Sequence, residues 1–227
     1  MKKIFNKECE IHEITSTDST NDAIKEMIVD NKIMILIAKS QKSGRGKGEN
    51  KWASPEGNLY MSIGFLSDYE NLSRIVFLIA VSIGRALTEY NIMYKWPNDL
   101  FIENKKVGGI LIESDNRKII IGIGINVENC TIVGSTCLND YIKCDIKILP
   151  LRTINSFADH IIHITDFEYI KNLWEEKALF LNQYIEFNNN HEIISGKFLG
   201  INFDGSLILA MENNDIKSFH SGSICIT

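Results

Sequence analysis

Apolar positions along this chain switch repeatedly between a strand spacing and a helix spacing. Residues 9–16 alternate weakly and predict a strand. Ser19 and Thr20 then supply N-cap hydroxyls, Asp22 stands three residues after Ser19, and Ala23, Ile24, Met27 and Ile28 form one stripe. That is the start of a helix with a capping box. The unbroken run IMILIA (33–38) predicts a buried strand, and NLYMSIGFL (58–66) predicts another. The clearest helix covers 71–90, where Leu72, Ile75, Val76, Ile79, Ala80, Ile83 and Leu87 keep the i, i+3, i+4, i+7 spacing. MYKWPNDLFIENKKVGGILIES then reads as strand, proline turn, strand, ENKK hairpin and strand. A turn at Asp115–Asn116 leads into RKIIIGIGINV.

Strands so close in sequence, joined by tight turns, favour an antiparallel or mixed sheet over βαβ winding. Two helices are expected between 151 and about 181, the second carrying Phe167, Ile170, Trp174, Ala178 and Leu181. From Tyr184 the texture changes to short alternating runs separated by NNNH, NFDG and ENN turns, which predicts a small β-barrel. The expected fold is therefore α+β: a domain over 1–183 with helices packed on a mixed sheet, and a barrel over 184–227.

Between the early strands lies KSQKSGRGKGENKWASPEGN (39–58), glycine-rich, basic and without either period. A long stretch of this kind in a compact domain is usually functional or mobile. It matches neither the Walker loop, because Gly48 follows Lys47, nor the dinucleotide fingerprint, because a strand comes next. Its glycines permit a backbone nest for an anion, with Arg45, Lys47 and Lys51 around it; a solvated charged loop is an equal reading. Asn98 and Asp99 in WPND suit a metal ion or ribose–phosphate, although PND is also simply a good turn. Gly108, Gly109, Gly122 and Gly124 interrupt strands, which signals close approach by a ligand or backbone, or else a bulge. Lys106 leads the first of these strands, and Asn126 ends the second.

Charge changes the picture. With 24 basic and 29 acidic side chains the chain carries −5, so a mainly nucleic-acid role loses ground and the basic loop points to a small anion. No stretch approaches the ~18 apolar residues of a membrane span, and no signal-like apolar region opens the chain. Five cysteines are too few for a disulfide framework, so reduced thiols and a cytoplasmic setting are expected. Cys130, Cys137 and Cys144 recur every seven residues, a gap wider than metal-binding pairs, and read as coincidence.

The ordered set STN (19–21), Q-x-x-GRG (41–46), KW-x-SP-x-GNLY-x-S (51–62), KWPND (95–99), K-x-GGIL-x-E (106–113) and GIGINV (122–127) resembles biotin protein ligase. FHSG-x-I (219–224) resembles that family's terminal barrel. The resemblance implies a class II aminoacyl-tRNA synthetase-like catalytic domain and an SH3-like barrel. It implies activation of biotin by ATP, with Mg²⁺, to biotinyl-5′-AMP, and transfer to a lysine of biotin carboxyl carrier protein. Lys106 then matches the lysine beside the biotin carboxylate and α-phosphate, and Arg45 with Gly44, Gly46 and Lys47 the loop over biotin and adenylate. Ser19, Thr20, Asn21, Gln41 and Gly109 fall at the biotin end. Trp52 falls at adenine, Asn98 and Asn126 near the phosphates, and Asp99 at Mg²⁺ or the incoming lysine. Homodimers through the catalytic sheet are common in the family.

Three departures stand out. Lys47 replaces the second arginine of GRGR, Thr227 stands where the family often has arginine, and no helix-turn-helix precedes residue 15, so specific DNA binding is not expected. Lipoate ligase or octanoyltransferase chemistry is the alternative within the fold. A nucleic-acid binder and a degenerate ligase are weaker ones.

Overall fold

The computed structural model describes residues 7–68, 71–130, 132–161, 166–189 and 192–225. A seven-stranded sheet organises the first part of the chain. Its strands are β1 (Glu8–Thr17), β2 (Lys32–Gln41), β3 (Leu59–Leu66), β4 (Met93–Lys95), β5 (Asp99–Ile102), β6 (Lys105–Asp115) and β7 (Lys118–Ile125), ordered β1-β2-β3-β7-β6-β5-β4. β1 and β2 run parallel and every other neighbour is antiparallel, so the sheet is mixed as expected. The ENKK hairpin turns through Glu103 and Asn104, both at positive φ, the conformation a two-residue hairpin requires.

Alternation along β7 assigns the two faces. Ile119, Ile121, Ile123 and Ile125 join the main core with α2 (Leu72–Ala86), α3 (Leu149–His160) and α4 (Phe167–Glu175). Ile120 points the other way, into a smaller cluster with Ile24, Ile28, Met34 and Leu36 beneath α1 (Thr20–Met27). The site occupies the rest of that second face, where glycines replace isoleucines.

Two helix expectations change. α2 ends at Ala86, and a separate 3₁₀ turn, Thr88–Tyr90, closes on Asn91 at positive φ. α4 stops at Glu175, so Ala178 is not on the helix. Residues 177–179 instead run along the β4 edge, where the Tyr94 amide donates to Lys177 O (2.8 Å) and the Leu179 amide to Tyr94 O (2.7 Å). Backbone groups of an edge strand need partners, and this segment supplies them.

The second sheet holds β8 (Tyr184–Asn189), β9 (Glu192–Ile201), β10 (Leu207–Ala210), β11 (Ile216–Phe219) and β12 (Ser223–Ile224), ordered β11-β10-β9-β8-β12. Phe187 on β8 and Phe219 on β11 are separated by two intervening strands in that order, yet their ring centroids are 4.9 Å apart. The sheet is therefore rolled around Phe187, Phe198, Leu207 and Leu209, all fully buried. It docks on the larger layer through Trp96, whose Nε1 donates to Gly205 O (3.0 Å), and Arg74, whose Nε donates to Phe203 O (2.7 Å). No helix among the described residues is long and apolar enough to cross a membrane.

Candidate active site

Register brings the candidate residues onto one face. Lys95 pairs with Asp99, Asp99 with Gly109, Gly109 with Gly124, and Gly124 with Tyr60, a single row across five strands. Cross-strand partners share a face, so Lys95 and Asp99 overlook the glycine floor. Lys106 would face away from Gly109 by simple alternation. The β5–β6 pairing, however, shifts so that Leu100 opposes Gly108 and Phe101 opposes Lys106. Val107 is the extra residue of this bulge and is buried in the main core, while Lys106 is re-aimed onto the site face. There its Nζ lies 2.7 Å from Asp99 Oδ1 and 5.3 Å from the centre of the Trp52 ring.

The glycines now have a physical account. A Cβ on Gly124 would sit 2.7 Å from Trp52 Cε2, and one on Gly122 2.5 Å from Asn21 Oδ1. The close approach inferred for these strands is made by the chain's own side chains. The Trp52 indole lies over Gly124 and Gly109, with its Nε1 buried and lacking an acceptor among the described residues.

The basic loop is more ordered than its sequence suggests. Arg45 bridges to Lys51, the Gly46 amide donates to Asn50 O (2.7 Å) and the Trp52 amide to Gly44 O (2.9 Å), which makes a small hairpin tipped by Gly48. Gly44 is obligatory at its base, since a Cβ there would meet Trp52 O at 2.4 Å. Arg45 reaches back to pair with Asp22 and with both oxygens of Glu113 (2.9 and 3.0 Å). Hydrogen bonding to Asp22 foremost, then to Glu113, raises its pKa further against the opposing effect of burial. Asp22 therefore does not complete the expected capping box. Ser19 Oγ accepts the Asp22 amide, but the Asp22 carboxylate turns to Arg45. Lys47 lies 5.7 Å over the Trp96 ring.

At the STN end, Gln41 Oε1 accepts from the Thr20 amide (2.8 Å) and Thr20 Oγ1 (3.0 Å), while Gln41 Nε2 donates to Ser54 Oγ (2.9 Å). Asn21 donates to Glu113 (2.6 Å), and Ser62 Oγ lies 2.8 Å from Thr20 Oγ1 and 2.6 Å from Asn21 Oδ1. This is a connected set of buried hydroxyls and amides, held in fixed orientation.

A cavity of about 410 Å³ joins these groups: Ser19, Thr20, Asn21, Gln41, Arg45, Gly46, Lys47, Trp52, Asn98, Asp99, Lys106 and Gly109 all line it. A second, of about 420 Å³, shares Trp52, Lys95, Asp99 and Lys106 as its wall and extends to Asn126 and residues 132–135. Asn98 and Asn126 are also structural: Asn98 Nδ2 donates to Ile110 O (2.7 Å) and Asn126 Nδ2 to Thr136 O (3.1 Å). Thr227 lies outside the described residues.

Lys95, Glu113 and Ser62 fall within the motifs quoted from the sequence, but no site role was assigned to them. Lys95 is the most informative: 8 % exposed, it lines both cavities and makes no ion pair among the described residues. Burial pushes its ammonium pKa down, Asp99 opposes that shift and Lys106 adds to it. Its place opposite Asp99, across the WPN turn, was the signal that could have found it.

The fold and this cavity define a two-part α+β protein whose glycine-floored cleft joins fixed cations to neutral hydroxyls and amides. The chain belongs to the Biotin/lipoate A/B protein ligase family, whose model matches residues 13–128. Its C-terminal sheet matches the Biotin protein ligase C terminal domain over residues 180–226. A solved structure of biotin protein ligase from Aquifex aeolicus in complex with biotin and ATP is 30% identical. It superposes with a TM-score of 0.82, covering 95% of this chain and 97% of that one. Bifunctional ligase/repressor BirA of Bacillus subtilis (strain 168) is 32% identical over 214 residues, 84% of this chain; the match spans 65% of that protein's length. Biotin–protein ligase of Homo sapiens is 34% identical over 152 residues, 57% of this chain and 20% of that protein. The resemblance carried by the sequence motifs is thus borne out.

Proposed function

We propose that this chain condenses biotin with ATP to biotinyl-5′-AMP and then passes the biotinyl group to one lysine of a biotin carboxyl carrier protein. The observation that carries the reading is the cationic seam between the two cavities, Lys95 and Lys106 about the single carboxylate of Asp99. One cavity ends in the neutral hydroxyl–amide set of Ser19, Thr20, Asn21 and Gln41, suited to a ureido ring. The other opens past Trp52 toward Asn126, suited to a nucleotide. In the first half-reaction a carboxylate oxygen of biotin bonds to the α-phosphorus, and the bond to the β-phosphate oxygen breaks, releasing pyrophosphate. Two anions meet there, so fixed cations lower the barrier most. Lys106 holds the carboxylate and α-phosphate, while Arg45, Lys47 and the Gly44–Gly46 backbone close over the adenylate and exclude water. In the second half-reaction the carrier amine bonds to the acyl carbon, the bond from that carbon to the phosphate oxygen breaks to release AMP, and the amine's proton passes to solvent, with Asp99 as the group that holds the amine.

Mg²⁺ would neutralise phosphate charge. It commonly binds one or two carboxylates plus substrate phosphates, and Asp99, with Lys106 on Oδ1, fits that role through its other oxygen. A homodimer would pair through β1, the sheet edge that residues 177–179 do not cover. The decisive experiment measures ATP–pyrophosphate exchange and transfer to a carrier domain, for wild type and Lys106→Ala. Exchange should require biotin, not lipoate, and fall about 10²–10³-fold in the variant. Lipoate-dependent exchange, or equal rates in the two proteins, would overturn the proposal.

A further inference from the structure

The regular cysteine spacing has a structural consequence that the ligase reading leaves unused. After β7 the chain doubles back along the start of β6. The Asn126 amide donates to Val107 O (2.8 Å), the Lys106 amide to Gly134 O (3.3 Å) and the Thr136 amide to Lys106 O (2.9 Å). This return brings Cys130 and Cys137 together with Asp140, their donor atoms all within 4.8 Å of one another. Cys144, the third member of the heptad spacing, is not part of the group. Two of the three ligands are already oriented by the backbone. The Asp140 carboxylate accepts from the Cys137 amide (3.1 Å) and Thr136 Oγ1 (2.8 Å), and Cys137 Sγ accepts from the Asp140 amide. Such supporting hydrogen bonds fix ligand geometry in metal sites.

We propose that Cys130, Cys137 and Asp140 bind one thiophilic divalent cation of the zinc class. Tetrahedral zinc with Zn–S bonds of about 2.3 Å sets its two sulfurs about 3.8 Å apart. The group needs to contract by no more than about 1.3 Å, and the exposed Cys130 can swing while buried Cys137 stays in place. Two sulfurs and one carboxylate select zinc-like ions over Mg²⁺, so the site is chemically separate from Asp99. Three protein ligands leave a fourth position for water. Loading would staple residue 130 to residue 137, and so fix the segment that borders the second cavity and braces the Lys106 backbone.

The test uses the full chain under a phosphine reductant, with Co²⁺ as the spectroscopic probe. One equivalent should produce a thiolate-to-cobalt charge-transfer band, and Zn²⁺ should displace it. Cys130→Ser and Cys137→Ser should each abolish the band, Cys144→Ser should keep it, and Asp140→Asn should weaken binding about tenfold. Because Cys137 is buried, Cys130→Ser is the decisive variant. Hydrogen exchange over residues 132–136 should slow on Zn²⁺ addition in wild type and not in Cys130→Ser. A missing band, or one that survives Cys130→Ser, would overturn the site, whatever the biotin-dependent activity shows.

Discussion

Replacing Lys95 with methionine should make the protein more stable and less active. The side chain is 8 % exposed, its Nζ lies 5.7 Å over the Phe101 ring, and it forms no ion pair among the described residues. Its charge is thus held in the fold at a cost, which the lowered pKa reports. Methionine keeps the stem's contacts and removes the charge. Replacing buried ion pairs by well-packed apolar groups is often neutral or gains 1–4 kcal/mol, and for this one charge, with Asp99 partly offsetting its cost, we expect about 1–2 kcal/mol. In a chain of this size that is a Tm rise of roughly 2–8 °C. The same change removes a fixed cation facing both cavities and should slow adenylate formation about 10²–10³-fold. pH separates this account from better packing alone. The unfolded chain holds the Lys95 proton up to about pH 10.4 and the folded chain releases it earlier. Between those pKa values unfolded chains bind more protons, so wild-type stability rises with pH and its deficit against Lys95→Met narrows. Chemical denaturation at several pH values, together with biotin-dependent pyrophosphate exchange, reads both effects. A destabilised variant, or a stabilised one with full exchange activity, would refute the reasoning.

Three further outcomes follow from the geometry. Gly124→Ala places a methyl 2.7 Å from the Trp52 ring, so the indole should leave the glycine floor; Trp52 fluorescence should shift and exchange activity fall while the chain stays folded, and unchanged fluorescence would count against the packing. Lys47→Arg restores a bidentate donor at the hairpin tip and should slow release of biotinyl-5′-AMP, measured by trapping the free adenylate; an unchanged release rate argues that the tip does not touch it. Trp96→Phe removes the bond to Gly205 O and should cost about 1 kcal/mol, with faster hydrogen exchange at residues 203–206 than elsewhere in the C-terminal sheet.

How much of this was legible in the chain depended on whether the information was local. Periodicity located the strands and helices because each element buries one face, and alternating IIIGIGI already implied a face on which something other than isoleucine must fit. The identity of that something was not local. Trp52 and Asn21 lie far along the chain from Gly124 and Gly122, and only the folded sheet brings them within contact. The end of α4 was hidden for a similar reason: Ala178 continues the apolar stripe, but the unpaired edge of β4 claims its backbone. The bulge at Val107 matters most. In an unbroken strand, Lys106 and Gly109 would face opposite sides, and the motif K-x-GGIL would place its lysine in the core. One extra residue sends Val107 inward and Lys106 outward, so a valine buried in the main core sets the aim of the lysine beside Asp99. The spacing of that motif encodes a backbone irregularity as much as a set of side chains, which is why its residue types suggested the chemistry while its geometry had to be seen.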